Sequence, residues 1–151
     1  RHRLQRVRPT LCHTGVVPVM AVIPRSKRQP RRWQVQDDQR PWTTNSERTW
    51  HFQKRAARVR ETRERFFWLA KEAKIPALPK IDVTAVPLVK NRRSMQDVGA
   101  CFPAVKAAID GLVDAGVIPD DDAEHLDKLT FYAPRVGDVE GLRLVVVEVP
   151  C

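Results

Sequence analysis

QDVGACFPAVKAAIDGLVDAGVIPDDDAEHL, residues 96–126, carries one carboxylate ahead of an apolar-periodic segment and three in a row behind it. Pro103 suits the first turn of a helix and Gly116 its C-terminal cap. Between them Val105, Ala108, Ile109 and Leu112 recur at helical spacing, so the segment predicts one helix with a buried stripe. What flanks this helix decides the fold class.

Upstream, KIDVTAVPLV (80–89) is rich in β-branched residues and predicts a strand, with Pro87 marking an edge position or the strand's end. KNRRSMQDVGAC then reads as a loop. Downstream, LDKLTFYA alternates Leu129 and Phe131 against Thr130 and Tyr132. GLRLVVVEV predicts a last strand, reached through the Pro/Gly loop PRVGDVEG. Toward the N-terminus RWQVQ (32–36) predicts a short strand and DDQRPWTTN a loop. Thr44, Asn45 or Ser46 is positioned to cap one long helix, SERTWHFQKRAARVRETRERFFWLAKEAK, that runs to Lys74 and stops at IPALP. Val59, Phe66, Ala70 and Ala73 form its apolar stripe. No internal repeat is visible. The order predicts an α/β fold: a small mixed β-sheet packed with two main helices.

The chain has 151 residues and a formal charge of +9, with 42% hydrophobic and 30% charged residues. That is enough chain for one cored domain, and no apolar run reaches the length of a membrane span. Residues 1–30 read as a basic arm without regular structure, with Met20 as a candidate start, and residues 31–151 as the folded domain. A secretory signal is not expected, because Pro18 interrupts the apolar run and PRSKR follows it. Cys12, Cys101 and Cys151 are far apart and lack zinc-ligand spacing, which favours a reducing, cytoplasmic setting and a buried thiol at Cys101.

Charge is uneven. Residues 1–80 hold 20 Lys/Arg against 6 Asp/Glu, and residues 81–151 hold 7 against 12. A basic half points to a polyanionic partner, most often nucleic acid. Lys54, Arg55, Arg58, Arg60, Arg63 and Arg65 make the long helix either a phosphate-facing surface or an ordinary solvated face.

The acidic run at 120–122 has two readings as well. One is a solvated turn after a helix. The other is a divalent cation, since Mg²⁺ takes oxygen ligands from one or two carboxylates plus substrate phosphates. A helix from Pro103 to Ala115 is about 20 Å long. The residues from Gly116 to Asp121 reach at most about 17 Å. If the chain doubles back, Asp121 approaches the end of the helix that carries Lys106, near Asp97. Lys106 and Asp110 are also spaced for a plain i, i+4 salt bridge.

With these residues in place, the sequence resembles the RusA-type Holliday-junction resolvases, crossover junction endodeoxyribonucleases often carried by phages and prophages. Their core reads Asp-x-Asp-Asn, then a helix bearing a lysine, then DAL…AG(V/I)…DD. The resemblance is strongest from Asp97 to Asp122 and extends more weakly over about residues 41–149. It implies a RusA-like fold and a homodimer that, with Mg²⁺ (or Mn²⁺ in its place), nicks branched DNA by metal-assisted phosphodiester hydrolysis. Catalytic positions fall on Asp97, Lys106 and Asp121, and metal positions on Asp97, Asp120 and Asp121. Arg55, Arg58, Arg92 and Arg93 are the expected DNA contacts. Trp50, Phe67 and Trp68 are candidates for stacking on bases or for packing in the core or a dimer.

The sequence departs from the pattern where Gly99 and Ala100 replace the second Asp and the Asn, and where the spacing to the lysine is three residues longer. One expected ligand is missing, with Asp122, Asp110 or a water as replacements. Neither a membrane nor a small-molecule cofactor is expected. Two rival readings remain. One is a non-catalytic DNA-binding protein with a degenerate RusA-like fold; the other is a basic RNA-binding or ribosome-associated protein.

Overall fold

In the computed structural model, which describes residues 29–150, the four predicted strand segments form one sheet, joined by a short fifth strand. β2 (Ile81–Val89) and β5 (Gly141–Glu148) form its centre, with β1 (Arg32–Asp37) at one edge beside β5 and β3 (Leu126–Phe131) and the two-residue β4 (Arg135–Val136) beside β2. The order is β1-β5-β2-β3. β5 runs antiparallel to both β1 and β2, whereas β3 and β4 run parallel to β2, so the sheet is mixed. The readings for residues 1–28, including Met20 and Cys12, and for Cys151, lie outside the described residues.

Alternation decides which face is inside. Val35, Ile81, Val83, Ala85, Leu142, Leu144 and Val146 point to one side and join the core. Two helices cover that side. α2 (Phe52–Glu72) contributes Phe66 and Ala70, and α3 (Phe102–Asp114) contributes Val105, Ala108, Ile109 and Leu112. The predicted stripe of α3 is buried at all four positions. In α2, Val59 instead packs against a second small cluster of Trp42, Ala104 and Ala107.

Three local expectations are corrected. The single long helix is two: α1 (Thr44–Arg48) and α2 are separated at Thr49–His51. Trp50 turns inward onto Trp42, with ring centroids 6.0 Å apart. His51 then takes extended backbone (ψ 146°), and its ring accepts from the N–H of Gln53, so it caps a new helix. The cap of α1 is Thr43, one residue before the predicted candidates, and its hydroxyl accepts from the N–H of Ser46.

The third correction concerns Pro87, which lies in an inner strand rather than at an edge or strand end. The β3 ladder stops at Ala85 and the β4 ladder begins at Leu88, leaving a gap. The carbonyls of Ala85 and Val89 both accept from that side, so Pro87, between them, turns its missing N–H into the gap. No ladder bond is lost there.

α2 and α3 cross where α3 has no side chain. A Cβ on Gly111 would stand 2.5 Å from the Arg63 carbonyl oxygen and 2.9 Å from the Phe66 Cβ. Ala at this site gains about 1 kcal/mol of helix propensity over Gly. Overpacking against backbone costs about 1–3 kcal/mol, so the clash wins. Gly111→Ala should lower the urea midpoint of unfolding, and Gly111→Val should lower it further. An unchanged or raised midpoint for both would mean that the helices do not meet at this distance.

Candidate functional site

The site is built from the two ends of α3 and the chain that follows it. Gly116 closes the helix in the left-handed conformation (φ +78°), and the N–H of Val117 returns to the carbonyl of Leu112. Val117 and Ile118 then bury completely, with Val117 held by the N–H of Leu78 at 2.8 Å. This return carries the chain back beside α3. The Asp121 carboxylate lies 2.6 Å from the Lys106 ammonium, 15 residues earlier in the sequence. Asp110, one turn along α3, meets the same ammonium at 2.5 Å. Both sequence readings of Lys106 therefore coexist: the helical salt bridge and the contact with Asp121.

This lysine bridges two half-buried carboxylates. Partial burial works against its charge, but the hydrogen bonds to Asp110 and Asp121 outweigh it and hold the ammonium above its ordinary pKa. Lys106 stays protonated throughout the neutral range, as a fixed positive charge on the flank of α3.

The other candidates have different surroundings. Asp97 is exposed in the loop before α3 and has no side-chain ion pair among the described residues. Its carbonyl accepts from the N–H of Ala100, closing a turn in which Gly99 is left-handed (φ +80°). Gly99 serves the backbone here, since a glycine takes that conformation without steric cost. Ala100 fastens the turn to α1, its carbonyl accepting from the N–H of Thr44 at 2.9 Å. Asp120 turns its carboxylate to the N–H of Asp121. Asp122 accepts from the N–H groups of Glu124 and His125 and meets the His125 ring at 2.7 Å. The hydrogen bond from His125 holds the Asp122 carboxyl below the usual range. Cys101 is buried, and burial pushes its thiol up to about 11, which makes it a poor nucleophile.

Among the described residues, no three His, Cys, Asp or Glu side chains are grouped to hold a metal ion. What the donor chemistry fits is an open site of oxygen ligands around Asp121, of the kind Mg²⁺ completes with substrate phosphates. Asp120 and Asp122 each accept backbone N–H groups through one carboxylate oxygen, Oδ1.

Most of the basic face of α2 is internally compensated. Arg63 grips Asp114 of α3 at 2.7 and 2.8 Å, and Arg65 grips the buried Asp37 of β1 at 2.9 Å. Arg55 lies 3.2 Å from Glu47, and Arg58 lies 3.7 Å from Glu61 while resting over the Trp42 ring. Lys54 sits over Trp50, which is half-buried. Arg92 and Arg93, in a 3₁₀ turn (Arg92–Ser94), are exposed and have no ion pair among the described residues. Phe67 packs on the core, whereas Trp68 is exposed. Sequence reading missed the Arg63–Asp114 and Arg65–Asp37 pairs. They span 51 and 28 residues, and no local spacing signals them.

No family model matches this sequence, and no curated protein matches it. No helix among the described residues is long and apolar enough to cross a membrane.

The Arg63–Asp114 pair has a pH signature. The hydrogen bond from Arg63, more than its charge, holds the Asp114 carboxyl below its ordinary value. A carboxyl whose folded pKa is depressed adds stability above its unfolded pKa, about 3.9, and loses that contribution as pH falls through the folded value. Urea unfolding at pH 6 and pH 3 should therefore show a smaller acid loss in Asp114→Asn than in the parent. Equal losses would mean the pair contributes nothing to linkage.

Proposed function

We propose that this protein is a Mg²⁺-dependent endonuclease of branched DNA, acting in the cytoplasm as a homodimer like the RusA-type resolvases it resembles. One observation carries the proposal. Asp121 and Lys106, two residues that the resemblance assigns to catalysis, are in direct contact although a helix and a turn separate them in sequence.

Lys106 acts on the phosphate. Its ammonium is held by Asp110 and Asp121, so it meets the charge that develops in the transition state without first having to be ordered. Asp121, with Asp97 open to solvent before α3, supplies oxygen ligands for the cation. Mg²⁺, when bound, supplies Lewis-acid polarisation of the scissile phosphate and an acidified water. Arg92 and Arg93, just upstream of Asp97, hold flanking phosphates and position the strand without reading its sequence. Arg55 and Arg58 are weaker contacts, since Glu47 and Glu61 already draw on their charge. A four-way junction has two-fold symmetry, and a two-fold dimer presents one such site to each of two strands.

A second reading keeps the DNA and drops the chemistry. It is favoured by Gly99 and Ala100, which stand where the family has its second Asp and its Asn.

The test is incubation of the full chain with a labelled four-way junction, in Mg²⁺ and in EDTA, beside linear duplex. Paired nicks that require Mg²⁺ and spare the duplex support the nuclease. Tight binding without product under any divalent ion supports the second reading. Lys106→Met should reduce the cleavage rate by about 10²–10³-fold. Asp121→Asn should abolish product while junction affinity stays at the parent value. Equal cleavage by Asp121→Asn and parent would remove Asp121 from the mechanism.

A further inference from the structure

Both helices pack on one face of the sheet; the other carries a different set of side chains. Arg32 of β1, Arg143 of β5, Arg135 of β4 and Tyr132 just past β3 line a concavity of about 280 Å³ on that second face. Strand register explains the grouping. Arg32 stands opposite Val147, and Val145 lies between Gln34 and Thr84 in the next row. These residues alternate with the core-facing positions and therefore share the outer face. Val86 and Val145 are each only 6% exposed, yet neither belongs to the helix-covered core. They line the hollow together with Arg32, Tyr132, Arg135 and Arg143.

The three guanidinium groups have no carboxylate partner among the described residues. That sets them apart from Arg55, Arg58, Arg63 and Arg65, each of which has one. Among the described residues Arg143 donates only to the neutral Gln36 amide oxygen, at 3.0 and 3.1 Å. Arg135 rests over the Tyr132 ring at 5.2 Å. Three like charges around one hollow repel each other and call for an anion.

Two occupants fail on charge. Residues 1–28 contain no Asp or Glu, so they cannot neutralise the hollow. A second copy related by a two-fold axis through this face would set the same arginines against each other.

We propose that the open sheet face is a docking platform for single-stranded nucleic acid, with Arg32, Arg135 and Arg143 taking backbone phosphates and the Arg135–Tyr132 stack taking a base. The inference deepens the nucleic-acid reading above and rests on it. A basic groove with an aromatic ring is the combination that binds single strands with little sequence preference. In a branched substrate it engages an unpaired or splayed strand beside the junction.

The experiment measures a fluorescein-labelled oligothymidylate by anisotropy, against the full chain and its R32Q/R135Q/R143Q variant, between 50 and 200 mM salt. Each single-strand phosphate contact contributes about 0.7 to the slope of log affinity against log salt. The variant should bind at least about tenfold more weakly, with a slope shallower by about 2. The parent protein, irradiated with an oligonucleotide containing 5-iodouridine, should crosslink at Tyr132, a readout independent of whether the variant folds.

Parent-like affinity and slope in a folded variant would overturn the proposal, as would crosslinks confined to Trp50 or Trp68. A variant that changes sedimentation but not oligonucleotide affinity would assign the face to a second copy and overturn it too. Failure of the nuclease reading is seen separately. Crosslinking at Tyr132 without junction cleavage removes the nuclease and keeps the platform; cleavage with an unaltered triple variant does the reverse.

Discussion

The close crossing of α2 and α3 at Gly111 is the constraint on which the other contacts depend. With no side chain at that position, the Arg63 carbonyl and the Phe66 Cβ come within the space that any larger residue would fill. The approach lets Phe66 and Ala70 from one helix, and Val105, Ile109 and Leu112 from the other, fill the same layer above the sheet. Removing Phe66 from such a layer costs about 3–5 kcal/mol, so shape here matters more than any surface ion pair. Arg63 then closes the crossing from outside through its two bonds to Asp114.

The same crossing sets the position of α3, and with it the candidate site. The helix ends at Gly116, and burial of Val117 and Ile118 pulls the following chain back along its flank. Asp121 reaches Lys106 because those two apolar residues are anchored, while the Asp121 carboxylate itself remains only half-buried. Mutual repulsion among residues 120–122 is relieved by division of labour. Asp120 and Asp122 bind backbone N–H groups, and Asp121 binds an ammonium.

Charge count is a poor guide to where a polyanion would touch this protein. The segment richest in arginine, α2, spends much of its charge on Glu47, Glu61, Asp114 and Asp37. The outer sheet face has fewer cations, but three of them surround one hollow with no carboxylate partner among the described residues. An unpaired guanidinium retains its full attraction for a phosphate, whereas a bidentate carboxylate pair must be broken first.

Local periodicity determined much of this structure by itself. The α3 stripe, the Pro103 and Gly116 boundaries, and strands at 32–37, 81–89, 126–131 and 141–148 follow from side-chain spacing and backbone preference within a few residues. The reach of Asp121 to Lys106 was legible only as a possibility of length. Tertiary structure decided the rest: β5 inserted between β1 and β2, the break at Thr49–His51, the inner position of Pro87, and the partners of the arginines. Those features depend on which distant residues share a face once the sheet is ordered and the helices cross. A contact such as Arg63 with Asp114, 51 residues apart, leaves no mark on the sequence near either one.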